Sequence, residues 1–443
     1  MKSRSLCAVL IGLFLALPGT AQQSKEPASD PAAGETFDGT QSGGKRNPIT
    51  IHGFLLAALS LRTTGERPPV GSGGDFVLGE GRLRLNISGA TASGKAAFVF
   101  KGDFVADGVE RKVVADIREG YARYTLGPLE VRAGRQIVTW GVGDLLFIND
   151  VFPKDWESFF SGRPAEYLKL GADGVRVRYS SGVLNADLIV VPFFTPDKLP
   201  SPERFVFFNP YSAIPNQHEQ KPAVNLGNTE VGLRLSRQID GFDMSFYAYR
   251  GFWRSPSVRL NNPVTPTSAT WFFPELSVYG VSAQRNALGG VVSLEAGYYD
   301  SRSDRSGTNP AIPNSQSRFL AGYQREVRKD LTVAVQSYAE VMEDYAAYRR
   351  SLPLASPAQD RVRAVLTTRL TQYLRYQTWR LSLFGAYSPT DEDYFIQPAV
   401  NYKVTERLSL AVGANIFGGQ RETTYFGQFQ KSDNMWSNLR FDF

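Results

Sequence analysis

The sequence predicts an all-β fold: a transmembrane antiparallel β-barrel of about 18 strands, with 16 as the alternative count, short periplasmic turns, long extracellular loops and one loop folded into the lumen. Three observations point there. Segments of about ten residues alternate apolar and polar side chains through 49–443, the period of a strand with lipid on one face and water on the other. Short links and long polar links take turns between these segments. No amphipathic helical stretch of comparable length interrupts them.

The opening of the chain reads as an export signal. Lys2 and Arg4 precede an apolar run over 6–17, Pro18 ends it, and Gly19-Thr20-Ala21 supplies small residues for cleavage. The run is too short to cross a bilayer as a helix. Residues 1–21 are therefore expected to be a cleavable signal peptide, and 22–47, polar and rich in Ala, Gly and Ser, a disordered periplasmic lead-in. The barrel is expected over 48–443. Cys7 is the only cysteine and lies within the signal, so the mature chain has no disulfide framework and no thiol for metal or nucleophilic chemistry. Two of the cations behind the +6 formal charge lie there too, and no long Lys/Arg run marks a nucleic-acid partner.

The strands follow in order. Ile51, Gly53, Leu55, Ala57 and Leu59 share one face. Leu83, Leu85 and Ile87 alternate with Arg82, Arg84 and Asn86; Leu129, Val131 and Ala133 with Glu130 and Arg132; Val175, Val177 and Tyr179 with Arg176 and Arg178. Val231, Leu233 and Leu235 alternate with Arg234, Val292, Leu294 and Ala296 with Ser293 and Glu295, and Leu408, Leu410 and Val412 with Ser409. The short links fall near 90–95, 126–128, 180–182, 238–241, 284–288, 327–330, 375–377 and 404–407. Between them run the longer links 63–74, 141–170, 195–228, 254–270, 301–315, 342–360 and 419–434, with two brief ones near 106–111 and 389–393. A β-sandwich does not keep such a rhythm; outer-membrane barrels do. The last segment sets Met435, Ser437, Leu439, Phe441 and Phe443 on one face and resembles the terminal strand by which outer-membrane proteins are recognised for insertion.

Closure follows from the solvent. In lipid every backbone N–H and C=O must be paired within the sheet, and only a closed barrel achieves that. The polar faces carry Arg, Glu, Asn, Gln and Ser, which resist burial in a dry core, so the interior is expected to be wide and wet.

The link over 141–170 is unusually apolar for an exposed loop, with Leu145, Leu146, Phe147, Ile148, Phe159 and Phe160. Folding it inward hides those side chains and leaves Asp144, Lys154, Asp155, Glu157, Arg163 and Glu166 to edge a constriction. Packing on the extracellular rim, or covering an oligomer contact, is the other arrangement open to it.

Arg118-Glu119-Gly120-Tyr121, then Val131-Arg132-Ala133-Gly134-Arg135-Gln136 and Trp140-Gly141, and later Tyr425-Phe426-Gly427-Gln428-Phe429, resemble segments of a family of Gram-negative outer-membrane proteins similar to the alginate-export porins. Gly120 stands where that pattern has Ala. The match is confined to these segments. The resemblance implies a monomeric barrel of about 18 strands with a ligand-selective lumen, and not alginate as the solute. Arg135 is read either as an anchor for the inward loop, through Asp144 or Asp150, or as an arginine paired on the wall.

Arg82, Arg84, Arg132, Arg176, Arg178 and Arg234 are expected to line the pore, with Asp103, Asp116, Glu119, Glu130 and Asp187 opposing them in a mixed ladder of mild anion preference. The function expected is passive or facilitated diffusion of small hydrophilic solutes, anionic or carbohydrate-like ones included. The partners are outer-membrane lipid, the barrel assembly machinery and that solute. A sheath holding a partner protein or export component is the second reading, an outer-membrane hydrolase the third. Against the third, the two histidines, His52 and His218, are far apart in sequence and no Gly-x-Ser-x-Gly elbow occurs. No cofactor or metal site is expected; Asp391 and Asp393 are read as solvated loop charge.

Overall fold

The computed structural model describes residues 49–443 apart from Ser72, Pro263 and 354–357; the expected signal peptide and lead-in lie outside the described residues. The strands run β1 (Ile49–Arg62), β2 (Phe76–Ala90), β3 (Ala96–Asp107), β4 (Lys112–Leu126), β5 (Leu129–Gln136), β6 (Ala172–Ser180), β7 (Asn185–Val191), β8 (Asn216–Gln220), β9 (Glu230–Ile239) and β10 (Phe242–Phe252). They continue as β11 (Ser257–Leu260), β12 (Ser268–Phe272), β13 (Glu275–Ala287), β14 (Gly290–Ser301), β15 (Gln316–Arg328), β16 (Leu331–Met342) and β17 (Val362–Leu374). The last are β18 (Trp379–Ser388), β19 (Asp393–Lys403), β20 (Leu408–Gly419) and β21 (Asn434–Asp442).

All but β8, β11 and β12 join one antiparallel sheet of 18 strands, each paired with its neighbour in the chain. The sheet closes because β21 also pairs with β1, from Phe54 opposite Asp442 to Arg62 opposite Asn434. Short turns gather at one end of the barrel and long links at the other. The turns take backbone forms with positive φ, as at Asp240-Gly241 and Leu288-Gly289. β13 runs on to Ala287, so its turn is tighter than the 284–288 read from sequence. The three remaining strands form a small sheet inside the long links, with β12 between β11 and β8.

The alternation settles which way side chains point. Along β1, Leu55, Leu59 and Leu61 are exposed while Phe54, Leu56, Ala58, Ser60 and Arg62 are buried. Apolar side chains thus cover the outside. The inside departs from the expectation of a wet interior throughout. In the half nearer the long links part of the inner wall, on β10 and β13 to β20, is apolar, with Tyr249, Val278, Tyr299, Leu320, Tyr338, Val365, Phe384, Phe395 and Phe417 packed in one core with loop residues Ile148, Phe159, Phe160, Phe205, Phe426 and Phe429. The half nearer the turns keeps the polar inner face.

A short helix, α1 (Trp156–Ser161), sits in the link after β5. The Asp155 side chain accepts from Ser158 N at 2.7 Å, capping its first turn. Gly162 ends it at φ 85°, where an L side chain is strained. A Cβ there would also collide with the Trp436 indole. Gly162→Ala is therefore expected to cost about 2–4 kcal/mol from the αL backbone and the clash. Thermal melting in detergent followed by near-ultraviolet circular dichroism would show it as a lowered midpoint; an unchanged midpoint would disprove this account of the glycine.

Candidate functional site

The segment 137–171 leaves the wall at β5, crosses the interior and returns at β6. Near its start the Trp140 indole N–H donates to Asp187 at 3.1 Å and packs against Phe152 and Tyr247. Farther on, the Glu295 carboxylate of β14 accepts Val142 N at 2.9 Å, Gly143 N at 3.1 Å, Asn149 N at 2.8 Å and Asn149 Nδ2 at 2.9 Å. Asp144 pairs with Arg369 of β17, half-way round the ring from β5. The Phe160 carbonyl takes Asn415 Nδ2 of β20 at 2.7 Å and Asn434 Nδ2 of β21 at 3.2 Å, and the Gly162 carbonyl takes Asn438 Nδ2 at 2.9 Å. Arg163 then meets Glu80 of β2 at 2.9 Å. One segment that touches walls on every side can only lie inside the barrel.

Two further links join it. Arg204, fully buried in the link after β7, pairs with Asp107 and Glu110 and donates to the Val77 carbonyl at 3.0 Å. In the link before β21, Phe426 and Phe429 enter the same aromatic core as Phe160; the rings of Phe160 and Phe429 are 5.2 Å apart. Wet exposure of so many rings would be costly, and their burial favours the inward fold.

The charges inside this plug are compensated. Burial pushes the Glu157 carboxyl up, but Lys198, Arg163 and Arg204 outweigh it and hold the group below its ordinary range. Burial drives the Lys154 ammonium down despite its contact with Asp150, and lifts Asp197, which accepts Lys154 N at 2.8 Å. Such pairs add little net stability when intact but are costly to break singly, because the survivor is left as a buried charge.

Against this geometry the sequence-derived residues sort into groups. Lys154, Asp155, Glu157 and Arg163 are each less than a tenth exposed. They tie the loop together and to the wall, so the expectation that they edge an open constriction is corrected. Asp144 is bound to Arg369, and Glu166 to Arg440 and Arg84. Arg135 is also corrected as a pore-lining candidate. It stands three positions after Arg132, on the opposite face of β5, pairs with Asp173 at 2.6 Å and donates to the Ile117 carbonyl; it holds neither Asp144 nor Asp150. Arg82 and Arg84 face inward but are buried against Glu80, Asp103 and the Tyr167 ring. Arg176 is matched by Asp187, with Nε at 2.8 Å. Arg234 lies opposite Asp187 in the register, donates to Ser245 Oγ at 3.2 Å and sits over the Tyr247 ring.

Nearer the turns the balance changes. Register sets Arg123 of β4 opposite Arg132 of β5 and Glu130 opposite Arg178 of β6. All three arginines share the one carboxylate: Arg132 at 2.8 Å, Arg178 in direct contact, Arg123 at 3.8 Å with its Nε unpaired. The sequence reading found Arg132 and Arg178 but missed Arg123, although it lies on the same alternating face of β4. It also missed Glu295, Arg369 and Arg204, whose roles depend on contacts across the barrel. His218 lies on β8 with Nε2 3.0 Å from Thr270 Oγ1, and His52 lies on the wall opposite Asn86. Among the described residues no group of three His, Cys, Asp or Glu could hold a metal ion.

No family model matches the chain, and no curated protein matches it in sequence. Solved structures match its fold. Pseudomonas aeruginosa OccK2 (OpdF), determined in complex with glucuronate, aligns at 8% identity over 89% of this chain and 97% of its own, with a TM-score of 0.55. Pseudomonas aeruginosa OccK11 (OpdR) aligns at 9% identity over 89% and 95%, with a TM-score of 0.50. At such identity the likeness concerns the fold.

Glu295 is the latch that the loop depends on. In Glu295→Ala, the N–H groups of Val142, Gly143 and Asn149 lose their acceptor, at about 1–3 kcal/mol for each that stays buried and unpaired. Hydrogen exchange at these three amides is expected to quicken by about tenfold or more while the strand amides stay protected. Unchanged exchange there would show that the loop is held by other contacts.

Proposed function

We propose that the protein is an outer-membrane channel for small hydrophilic solutes, with anionic, carbohydrate-like molecules preferred. The observation that carries this reading is the sharing of Glu130 by Arg123, Arg132 and Arg178 on the polar half of the inner wall. Three guanidinium groups against one carboxylate leave positive potential facing the lumen, which concentrates anions. Arginine also suits carboxylates by its two-pronged donor geometry. The likeness in fold to OccK2, seen with glucuronate, favours a sugar acid. A plug of three links makes a short molecule fit better than a polymer.

On this reading the exposed apolar belt meets outer-membrane lipid, the short turns face the periplasm, the long links face outward, and insertion depends on the barrel assembly machinery. The barrel works as a monomer. The sheath reading is less well supported, because the chain's own links already fill the outward half and a partner would have to displace Phe160, Phe205 and Phe429 from their core.

Planar-bilayer recordings of the purified protein in a salt gradient test the proposal. The wild type is expected to conduct and to prefer chloride over potassium. Arg123→Gln with Arg178→Gln is expected to lower that preference by about twofold or more, since Glu130 then faces Arg132 alone. A wild type that is electrically silent or cation-selective would refute the corresponding half of the proposal.

A further inference from the structure

The lumen holds a second group of uncommitted cations, separated from the Glu130 arginines by β21, β1, β2 and β3. At the turn end of β18, β19 and β20 a cavity of about 250 Å³ is lined by three cations, Arg380, Lys403 and Arg407, two carboxylates, Glu406 and Asp442, and polar groups that include Asn401. We propose that it is a binding site for one carboxylate-bearing polyol, a single sugar acid, on the periplasmic side of the channel. The proposal rests on the channel reading for its role, and on the cavity for its chemistry.

The register places Arg380, Asn401, Lys403 and Ser409 inside, and Arg407 stands in the turn just before β20, its carbonyl accepting Asp442 N at 2.8 Å. Arg380 lies opposite Asn401, Asn401 opposite Ala411, and Ala411 opposite Asn438. Directly opposed residues share a face of the sheet. Asn438 donates to the Gly162 carbonyl of the inward segment, so the whole row faces the lumen. One row nearer the turns, Lys403 lies opposite Ser409 and Ser409 opposite Arg440; Arg440 reaches Glu166 of the same inward segment at 3.0 Å. Behind the cavity Trp379 stacks on Tyr402 at 4.3 Å, a rigid pair in the wall.

The charges are unequal. Lys403 is paired with Glu406 at 2.6 Å, and Asp442 is taken by Arg440 at 2.8 Å. Among the described residues no carboxylate lies within ion-pair distance of Arg380 or Arg407. Two free guanidinium groups suit the two oxygens of a carboxylate. Thr378, Thr405, Ser409 and Asn401 supply donors and acceptors for hydroxyl groups. The cavity is smaller than typical ligand pockets, which suits one ring. The cavity and the Glu130 arginines lie at the same end of the barrel on different sectors of the wall.

The test is calorimetric titration of the detergent-solubilised full chain with sodium glucuronate, glucose and glucosamine, beside bilayer recordings with each sugar added on the turn side. The wild type is expected to bind glucuronate and to show current block by it, with little effect of glucose or glucosamine. Arg380→Gln with Arg407→Gln is expected to weaken that binding by about tenfold or more, while the chloride preference set by Arg123, Arg132 and Arg178 persists. Arg380→Lys with Arg407→Lys, which keeps the charge, is expected to fall between the two and serves as the control for folding. No glucuronate binding by the wild type, equal binding of glucose, or full binding by the Gln pair would each overturn the proposal. The channel reading fails separately: binding without conductance would sink it and leave the cavity's assignment standing.

Discussion

The closing pair between β21 and β1 is the constraint on which everything else rests. A strand edge exposed to hydrocarbon leaves N–H and C=O groups without partners, each costing several kcal/mol. Here the last strand returns to the first in unbroken register from Asn434 to Asp442, and the Gly53 and Phe443 backbones exchange two further bonds at 3.0 Å. A ring of 18 strands removes both edges. It also fixes an interior that no wall side chain can reach across.

That width creates a second problem, which the long links solve. An 18-strand ring lined only by its own side chains would leave a broad opening. The segment after β5 spans it by hydrogen bonds to other strands: Glu295 accepts from its backbone amides, and Asn415, Asn434 and Asn438 donate to its carbonyls. Aromatic side chains then fill the space between loop and wall. The inner wall there is apolar because it packs against protein rather than water. Polar inner side chains in the half nearer the long links, such as Glu80, Asn415 and Asn434, serve to hold the links, and a polar inner face continues nearer the turns.

This division explains what the sequence disclosed and what it withheld. Strand number, turn rhythm and the outward apolar face were legible, because each follows from a period of two and from local turn residues. The rings of 141–170 pointed to an inward fold without excluding the rim, and the packing of Phe159 and Phe160 against Phe395 of the wall decides between them. The fate of its charges was not. Lys154, Glu157 and Arg163 read like the rim of an opening, and only the positions of Asp150, Glu80 and Lys198 in space show them neutralised. Arg135 was misplaced for a local reason: it lies an odd number of residues from Arg132, so strand parity alone set it on the other face. Arg123 lay within reach of the same parity argument. Glu295 and Arg369 did not, because half a barrel of chain separates them from the segment they hold.

The same division bears on how a polar solute could be selected. Where the interior is packed, every buried charge must have a partner, so Arg82, Arg84, Arg163 and Arg204 are locked to carboxylates and cannot turn toward a passing ion. A cation remains free to act on a solute only where water already pays its solvation. Arg380 and Arg407, which line the cavity at the turn end, meet that condition. Packing and free charge are therefore divided along the barrel: the long links fill the half at one end, and the arginines without carboxylate partners lie at the other. Moving those arginines up among the aromatic rings would oblige each to recruit a carboxylate, and its pull on a solute would vanish with the pairing.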